Sequence, residues 1–174
     1  EGQCPLFEGK LFILNEILRA QKSLHKTGIF HRDVKPGNII LCIDCRVVII
    51  DFGLAHILDF SITETTIQGF PSYLPPRAVE GAKIDHRTDP WAFGALAYEL
   101  LGGERPFDSP PFSGVVLNIL SPQTGHPCAS VPEFHAPLAE VLRALMAKSR
   151  ALHYQHAEEA LEDWDHAVAG FALH

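Results

Sequence analysis

The stretch HRDVKPGNII, residues 31–40, places one histidine, two bases, one carboxylate and one amide within eight residues and then turns apolar. The β-branched runs NIILCI at 38–43 and RVVIID at 46–51 flank the pair Asp44-Cys45. Two such runs joined by a short connection predict a β-hairpin. The hairpin would return the chain so that Asp51, at the end of the second strand, lies near Asp33 and Asn38.

These side chains suit phosphoryl transfer. Asn38 and Asp51 offer an amide oxygen and a carboxylate, which fit Mg²⁺ because this ion takes few protein carboxylates and completes its shell with waters and phosphate oxygens. Asp33 would then be free to accept a proton. Lys35 lies two residues further on, so in extended backbone it would project the same way and neutralise a transferring phosphoryl group. These residue types also occur in ordinary turns, but their conjunction, with Gly53 allowing the chain to turn away, favours a site.

The rest of the chain has mostly helical periodicity. Apolar residues recur at steps of three and four over 7–27, and Gly28 would end that helix. In TDPWAFGALAYELLGG (88–103), Asp89 suits an N-cap and Pro90 the first helical position of a buried helix. Further helices are predicted over 113–120, 137–149 and 157–171, and a long loop over 54–76. The predicted fold class is mainly α with a small β-hairpin, an α+β domain.

Composition narrows the partners. The chain has 174 residues, is 47% hydrophobic and carries a formal charge of −7. One core is expected, and the acidic balance opposes nucleic acid and anionic membranes as partners. No apolar run approaches the ~20 residues of a membrane span, and EGQCPLFEGK is unlike a leader, so a cytoplasmic protein is expected. Cys42 and Cys45 have no second ligand pair for zinc and are interpreted as hairpin residues.

Two motifs carry a resemblance to a known family. His31-Arg32-Asp33 followed by Asn38, and Asp51-Phe52-Gly53, are similar to the H-R-D-x-x-x-x-N and D-F-G signatures of the eukaryotic-type protein kinase family. The likeness continues through GFPSYLPPR, DHRTDPWAFGALAYELLGGERPF and ALMAKSRALHYQHAEEAL. It therefore covers nearly all of residues 1–174 and implies a partial catalytic domain, the C-terminal lobe.

The resemblance implies roles for the site residues. Asp33 would accept the proton of the substrate hydroxyl, Lys35 would contact the γ-phosphate of ATP, and Asn38 and Asp51 would hold Mg²⁺. Ile40 would form the floor under adenine. Lys35 at this position is similar to the serine/threonine-specific branch, so the implied function is transfer of phosphate from ATP to Ser and Thr of protein substrates.

The same resemblance extends to regulation. Arg32, beside the catalytic aspartate, would pair with a phosphorylated activation loop. The candidate phosphate acceptors in that loop are Thr63, Thr65 and Thr66.

Several features depart from the family pattern. Pro75-Pro76-Arg77 stands where Ala-Pro-Glu is usual, His153 aligns with the arginine that usually pairs with that glutamate, and Phe70 replaces a usual threonine. We expect Arg77 to turn to solvent or to another acid, and His153 to stay neutral.

The glycine loop and the strand lysine are also absent before residue 31, so the N-terminal lobe is a missing partner. We expect the chain to be inactive alone. A pseudokinase or docking module, and a kinase-like small-molecule phosphotransferase, are the alternatives.

Overall fold

The structure is a computed structural model, and it describes residues 7–53, 71–82, 85–124, 126–130, 136–149 and 151–169. In those ranges it contains a two-stranded sheet and several helices. The helices are α1 (Phe7–Lys26), α2 (Pro76–Val79), α3 (Thr88–Gly102), α4 (Phe112–Leu120), α5 (Ala136–Leu145) and α6 (Ala157–Ala169). The strands are β1 (Ile39–Leu41) and β2 (Val47–Ile49), and 3₁₀ turns occupy Pro36–Asn38, Pro71–Tyr73 and Pro127–Ser130.

The predicted fold class, mainly α with one small hairpin, is confirmed. Helix α1 forms where the apolar period predicted it, and its buried stripe includes Leu14, Ile17 and Leu18. Gly28 follows with a φ of 76°, a left-handed conformation that glycine adopts without steric cost and that ends the helix. Most of the predicted 54–76 loop lies outside the described residues, and its last part contains the turn Pro71–Tyr73.

The hairpin is confirmed, with strands shorter than predicted. β1 and β2 run antiparallel, and Ile39 lies opposite Ile49. The turn closes with the Cys42 N–H donating to the Arg46 carbonyl at 2.8 Å. Cys42 and Cys45 carry free thiols, as expected of hairpin residues.

Helix α3 is the centre of the core. It is buried from Thr88 to Tyr98 and ends at Gly103, whose φ is 83°. The prediction that Asp89 caps this helix is wrong: the N-cap is Arg87, without a side-chain hydrogen bond, and Asp89 lies in the first turn with its carboxylate directed elsewhere. Pro90 is accordingly the third residue of the helix and not the first.

The other long helices pack around α3. α1 contacts α6 and α3, while α5 packs on α3 and α6. The largest fully buried side chains include Leu14, Trp91, Phe93 and Trp164, and the rings of Phe93 and Trp164 meet edge to face at 5.2 Å. Across the described ranges, no helix has the length and apolarity required to cross a bilayer.

Candidate active site

Asp33, Lys35 and Asn38 converge at one carboxylate oxygen, and we call these three residues the Asp33 cluster. The Lys35 Nζ donates to Asp33 Oδ2 at 2.7 Å, and the Asn38 Nδ2 donates to the same oxygen at 3.0 Å. Lys35 has extended backbone, with φ −160° and ψ 164°, which is why its side chain returns alongside that of Asp33. The structure thus brings together the three polar residues that the sequence placed within six positions.

The 3₁₀ turn Pro36–Asn38 fixes the amide of Asn38. Its Nδ2 also donates to the Asp33 backbone carbonyl at 2.8 Å, and the side chain is buried. Because both bonds use the amide nitrogen, the amide oxygen is left as an acceptor. Asn38 therefore orients the carboxylate of Asp33 and still offers an oxygen ligand.

A buried carboxylate on α3 holds the loop that carries this cluster. Asp89, 1% exposed, accepts hydrogen bonds from the backbone N–H groups of His31 at 2.8 Å and Arg32 at 2.6 Å. The His25 Nε2 lies 2.7 Å from the same carboxylate. Arg32 adopts a φ of 66°, uncommon for a non-glycine residue. The loop is thus fixed at its backbone from the centre of the core.

The sequence does not predict the role of Asp89 in holding this loop. Asp before Pro is a usual helix-start signal, so its local pattern predicts a helix cap instead. No local pattern links it to an N–H group 57 residues away. The available signal was the buried, nearly all-apolar character of the α3 sequence, because an ionised carboxylate in such a helix requires partners.

Asp51 is returned to the Asp33 cluster by the hairpin. The Ile50 N–H donates to the Asn38 carbonyl at 2.9 Å, so Asp51 follows immediately after a residue paired with Asn38. His31 fixes the same point, since its Nε2 lies 3.0 Å from the Ile50 carbonyl and its ring packs on Phe52 at 4.8 Å. The arrangement agrees with the expectation that 38 and 51 would be neighbours.

The oxygen donors of Asp51 and Asn38 are of the type that suits a divalent cation. Asp51 is exposed, has a φ of 64°, and its Oδ1 accepts from the Gly53 N–H at 3.2 Å. Among the described residues, no group of three or more His, Cys, Asp or Glu side chains is placed so that it could hold a metal ion without other ligands. One carboxylate plus the amide oxygen of Asn38 instead match Mg²⁺, whose remaining ligands are waters and phosphate oxygens.

The remaining predicted site residues divide into two groups. Ile40 on β1 is 45% exposed, and Arg32 is buried beside the cluster. The candidate phosphate acceptors Thr63, Thr65 and Thr66, and also Phe70, lie outside the described residues.

The two substituted family positions behave as expected from their chemistry. Arg77 on α2 is exposed, as predicted. His153 is buried, and its Nδ1 donates to the Tyr154 carbonyl at 2.8 Å. Burial lowers the pKa of His153 below its usual range, and nearby Arg87 lowers it further, which favours the neutral ring.

Comparison with known proteins places the chain in a family. The model for the protein kinase domain matches residues 7–155. The chain is 33% identical over 151 residues, 84% of its length, to a probable serine/threonine-protein kinase PknB of Bifidobacterium longum, of which it covers 22%. It is 32% identical over 175 residues, 97% of its length, to a probable serine/threonine-protein kinase of Streptomyces coelicolor, covering 26%.

A plant relative is similar over a shorter stretch. The serine/threonine-protein kinase AtPK2/AtPK19 of Arabidopsis thaliana is 40% identical over 92 residues, 53% of this chain and 20% of that protein. The chain spans about a quarter or less of the length of these curated relatives. With the family model matching 149 of 174 residues (7 to 155), the chain belongs to the protein kinase domain family.

Proposed function

We propose that this chain is the C-terminal lobe of a serine/threonine protein kinase, which transfers the γ-phosphate of ATP to Ser and Thr hydroxyls of protein substrates. The observation that carries the proposal is the Asp33 cluster, in which a partly exposed carboxylate is fixed by Lys35 and Asn38. The names of the similar proteins support it, since all three are serine/threonine-protein kinases.

Each residue has a part in the proposed reaction. Asp33 orients the substrate hydroxyl and accepts its proton, for which its carboxylate is held in one rotamer by two hydrogen bonds. Lys35 lies 2.7 Å from that carboxylate, so it can stabilise negative charge on the phosphoryl group beside it. Asn38 and Asp51 would hold Mg²⁺. Bound magnesium and ATP supply the phosphoryl group and neutralise its charge.

The second proposed component is an N-terminal lobe. The hairpin and its flanking residues expose apolar side chains, namely Ile40, Leu41, Ile43, Val48 and Ile50. A surface of this kind favours a covering partner, and adenine would lie between that partner and Ile40. We propose that the 174-residue chain alone binds ATP weakly and transfers phosphate negligibly, because one wall of the nucleotide site is then absent.

We also propose how the kinase is regulated and where in the cell it acts. Arg32 lies beside Asp33, so a phosphate on Thr63, Thr65 or Thr66 would pair with its guanidinium. Dependence on ATP favours the cytoplasm as the place of action.

Phosphate transfer by the full-length protein that contains these residues tests the function. Asp33→Asn should reduce transfer to a protein substrate by about 10²- to 10⁴-fold. Asp44→Asn, a matched change at an exposed turn residue, should leave it unchanged. Labelled phosphate should be recovered on Ser or Thr.

Other outcomes point to the alternatives. Equal transfer by wild type and Asp33→Asn would contradict the proposal, and no transfer by either would favour a docking module. Transfer only to a small molecule would favour the small-molecule phosphotransferase. Turnover by residues 1–174 alone, lost in Asp33→Asn, would contradict only the proposed inactivity of the isolated chain.

A further inference from the structure

A cavity lies against α3 on the side away from the Asp33 cluster. Its volume is about 50 Å³, whereas one water molecule needs roughly 10–15 Å³ on the same measure, so it has room for a larger group. Its apolar walls are formed by Pro75, Pro76, Ala78 and Ala147, and its polar lining includes Arg77, Arg87, Trp91, Lys148 and His153. We call it the Trp91 cavity.

Three nitrogen atoms of the lining residues are buried and lack a hydrogen-bond partner among the described residues. They are Arg87 Nε, Trp91 Nε1 and His153 Nε2. Most buried polar side-chain atoms in proteins are hydrogen-bonded, and an unmade bond costs about 1–3 kcal/mol each. Three such atoms around one cavity therefore indicate a site that a polar ligand would complete.

Aromatic packing holds two of these groups in place. The Trp91 ring is stacked between Phe107, at 6.0 Å with an interplanar angle of 9°, and His153, at 6.1 Å and 15°. The Nδ1–H of His153 donates to the Tyr154 carbonyl. Because Trp91 is fully buried in this stack, its indole N–H cannot turn to solvent for a partner.

The charge of the lining favours an anion. Arg77, Arg87 and Lys148 line the cavity, against the single carboxylate of Asp85 in the described lining. The Lys148 Nζ already donates to the carbonyls of Asn118, Ser121 and Thr124, at 2.6, 2.7 and 3.4 Å, so its three N–H donors are used and it contributes only charge. Arg87 Nε and Trp91 Nε1 are buried donors without a described partner, and His153 Nε2 becomes a third donor when it is protonated.

We propose that the Trp91 cavity binds a small monocarboxylate with a short apolar tail, whose oxygens accept hydrogen bonds from Arg87 Nε, Trp91 Nε1 and a protonated His153 Nε2. The tail lies against the proline and alanine walls. A carboxylate with a short tail suits this lining better than a phosphate, because much of the wall is apolar and would contact the tail. The neutral His153 of the free protein gains its proton when the carboxylate binds, facing Arg77, Arg87, Asp85 and Lys148 across the cavity.

The two tryptophans provide the test, since the chain has only Trp91 and Trp164. Both indole nitrogens are buried without a described partner, but only Trp91 lines the cavity. Sodium propionate titrated into the ¹⁵N-labelled chain should shift the Trp91 indole N–H signal saturably and leave that of Trp164 unmoved. Propionamide, the neutral isostere, should shift neither.

Two further readouts tie the binding to the named groups. Arg87→Met should weaken propionate binding by about 10- to 100-fold, the loss of one charged hydrogen bond, whereas Arg46→Met in the hairpin turn should not change it. Affinity should rise as pH falls from neutral to about 5.5, since binding takes up a proton at His153.

If the Trp91 indole N–H signal does not shift when propionate is added, the proposal is overturned. Such a result would mean that water fills the cavity. Equal responses to propionate and propionamide, or equal shifts of both tryptophans, would also overturn the proposal. So would an affinity that is constant or falls as pH falls.

Discussion

The two faces at the beginning of α3 differ in whether their buried polar groups have hydrogen-bond partners. Asp89 and Trp91 are two residues apart, about 200° around a helix, so they face opposite sides. On one side Asp89 accepts two backbone hydrogen bonds and fixes the loop of the Asp33 cluster. On the other side three nitrogens of the Trp91 cavity, Arg87 Nε, Trp91 Nε1 and His153 Nε2, have no described partner.

The Asp33 cluster and the Trp91 cavity differ in whether their polar side chains are hydrogen-bonded in the absence of a ligand. In the Asp33 cluster the donors and acceptors bond to one another, so the positions of these side chains are fixed without a ligand. In the Trp91 cavity three buried nitrogens make no hydrogen bond to a described residue, so the free-energy cost of removing them from water is not offset. Replacing a polar side chain should therefore lower the free energy of unfolding on the side of Asp89 and the Asp33 cluster, and should leave it nearly unchanged at the Trp91 cavity.

The largest effect should come from Asp89→Asn. The amide has one acceptor oxygen, where the carboxylate accepts from His31 and Arg32 and contacts His25. We expect the free energy of unfolding to fall by about 3–5 kcal/mol, measured by urea denaturation. Asp165→Asn, at a surface ion pair, should cost less than about 1 kcal/mol. Equal losses in the two variants would contradict the assigned role of Asp89.

Asn38→Ala should have the next largest effect. It removes the two hydrogen bonds to Asp33 at a buried position, so we expect a loss of about 1–3 kcal/mol in urea denaturation. Gln123→Ala removes a comparable amide from an exposed position and should cost less than about 0.5 kcal/mol. If Asn38→Ala costs no more than this control, the cluster is not internally bonded as described.

His126 should make the free energy of unfolding depend on pH. Burial, with Arg143 and Lys148 nearby, lowers the pKa of His126 to about 4. The unfolded chain has the ordinary value of about 6.5, so it binds the proton first, and stability falls as pH drops from about 6.5 to about 4. Because the ring is partly exposed, we expect an effect of about 1–2 kcal/mol.

Replacing this histidine isolates its contribution. His126→Gln should flatten the dependence of unfolding free energy on pH over that range, whereas His166→Gln, at an exposed position, should leave the wild-type slope. A slope unchanged by His126→Gln would show that His126 is not the group that titrates.

The smallest effect should come from Arg87→Met in the absence of any ligand. The change removes a buried donor without a described partner and keeps an apolar stem, so stability should be unchanged or should rise by up to about 1 kcal/mol. Thermal or urea unfolding measures it. A loss greater than about 1 kcal/mol would mean that Arg87 is already paired within the protein.

Local patterns in the sequence were sufficient for most of the elements and for the proximity of Asp33, Lys35 and Asn38. The β-branched runs on either side of Asp44 predicted the hairpin, and the hairpin alone implied that Asp51 returns to Asn38. The extended backbone at Lys35 placed its ammonium on Asp33. These features depend on near neighbours or on one turn, so residue type and spacing were enough.

Contacts between distant segments were not predictable in this way. Asp89 bonds to a loop 57 residues earlier, and its helix-start pattern suggested a local role. The Trp91 cavity combines α2, the start of α3 and the segments around Lys148 and His153, which only tertiary packing brings together. The sequence indicated that Arg77 and His153 had changed, but not that His153 would line a cavity with unpartnered nitrogens.

We propose that Asn38 and Asp51 together bind a divalent cation beside Asp33. Mn²⁺ in place of Mg²⁺, added with ATP, tests it directly, because this paramagnetic ion broadens nearby NMR signals even when binding is weak. We predict early loss of the Asn38 side-chain amide signal and of the backbone signals of Asp51 to Gly53, and their retention in Asp51→Ala. Broadening centred elsewhere, or the same pattern in Asp51→Ala, would contradict the account.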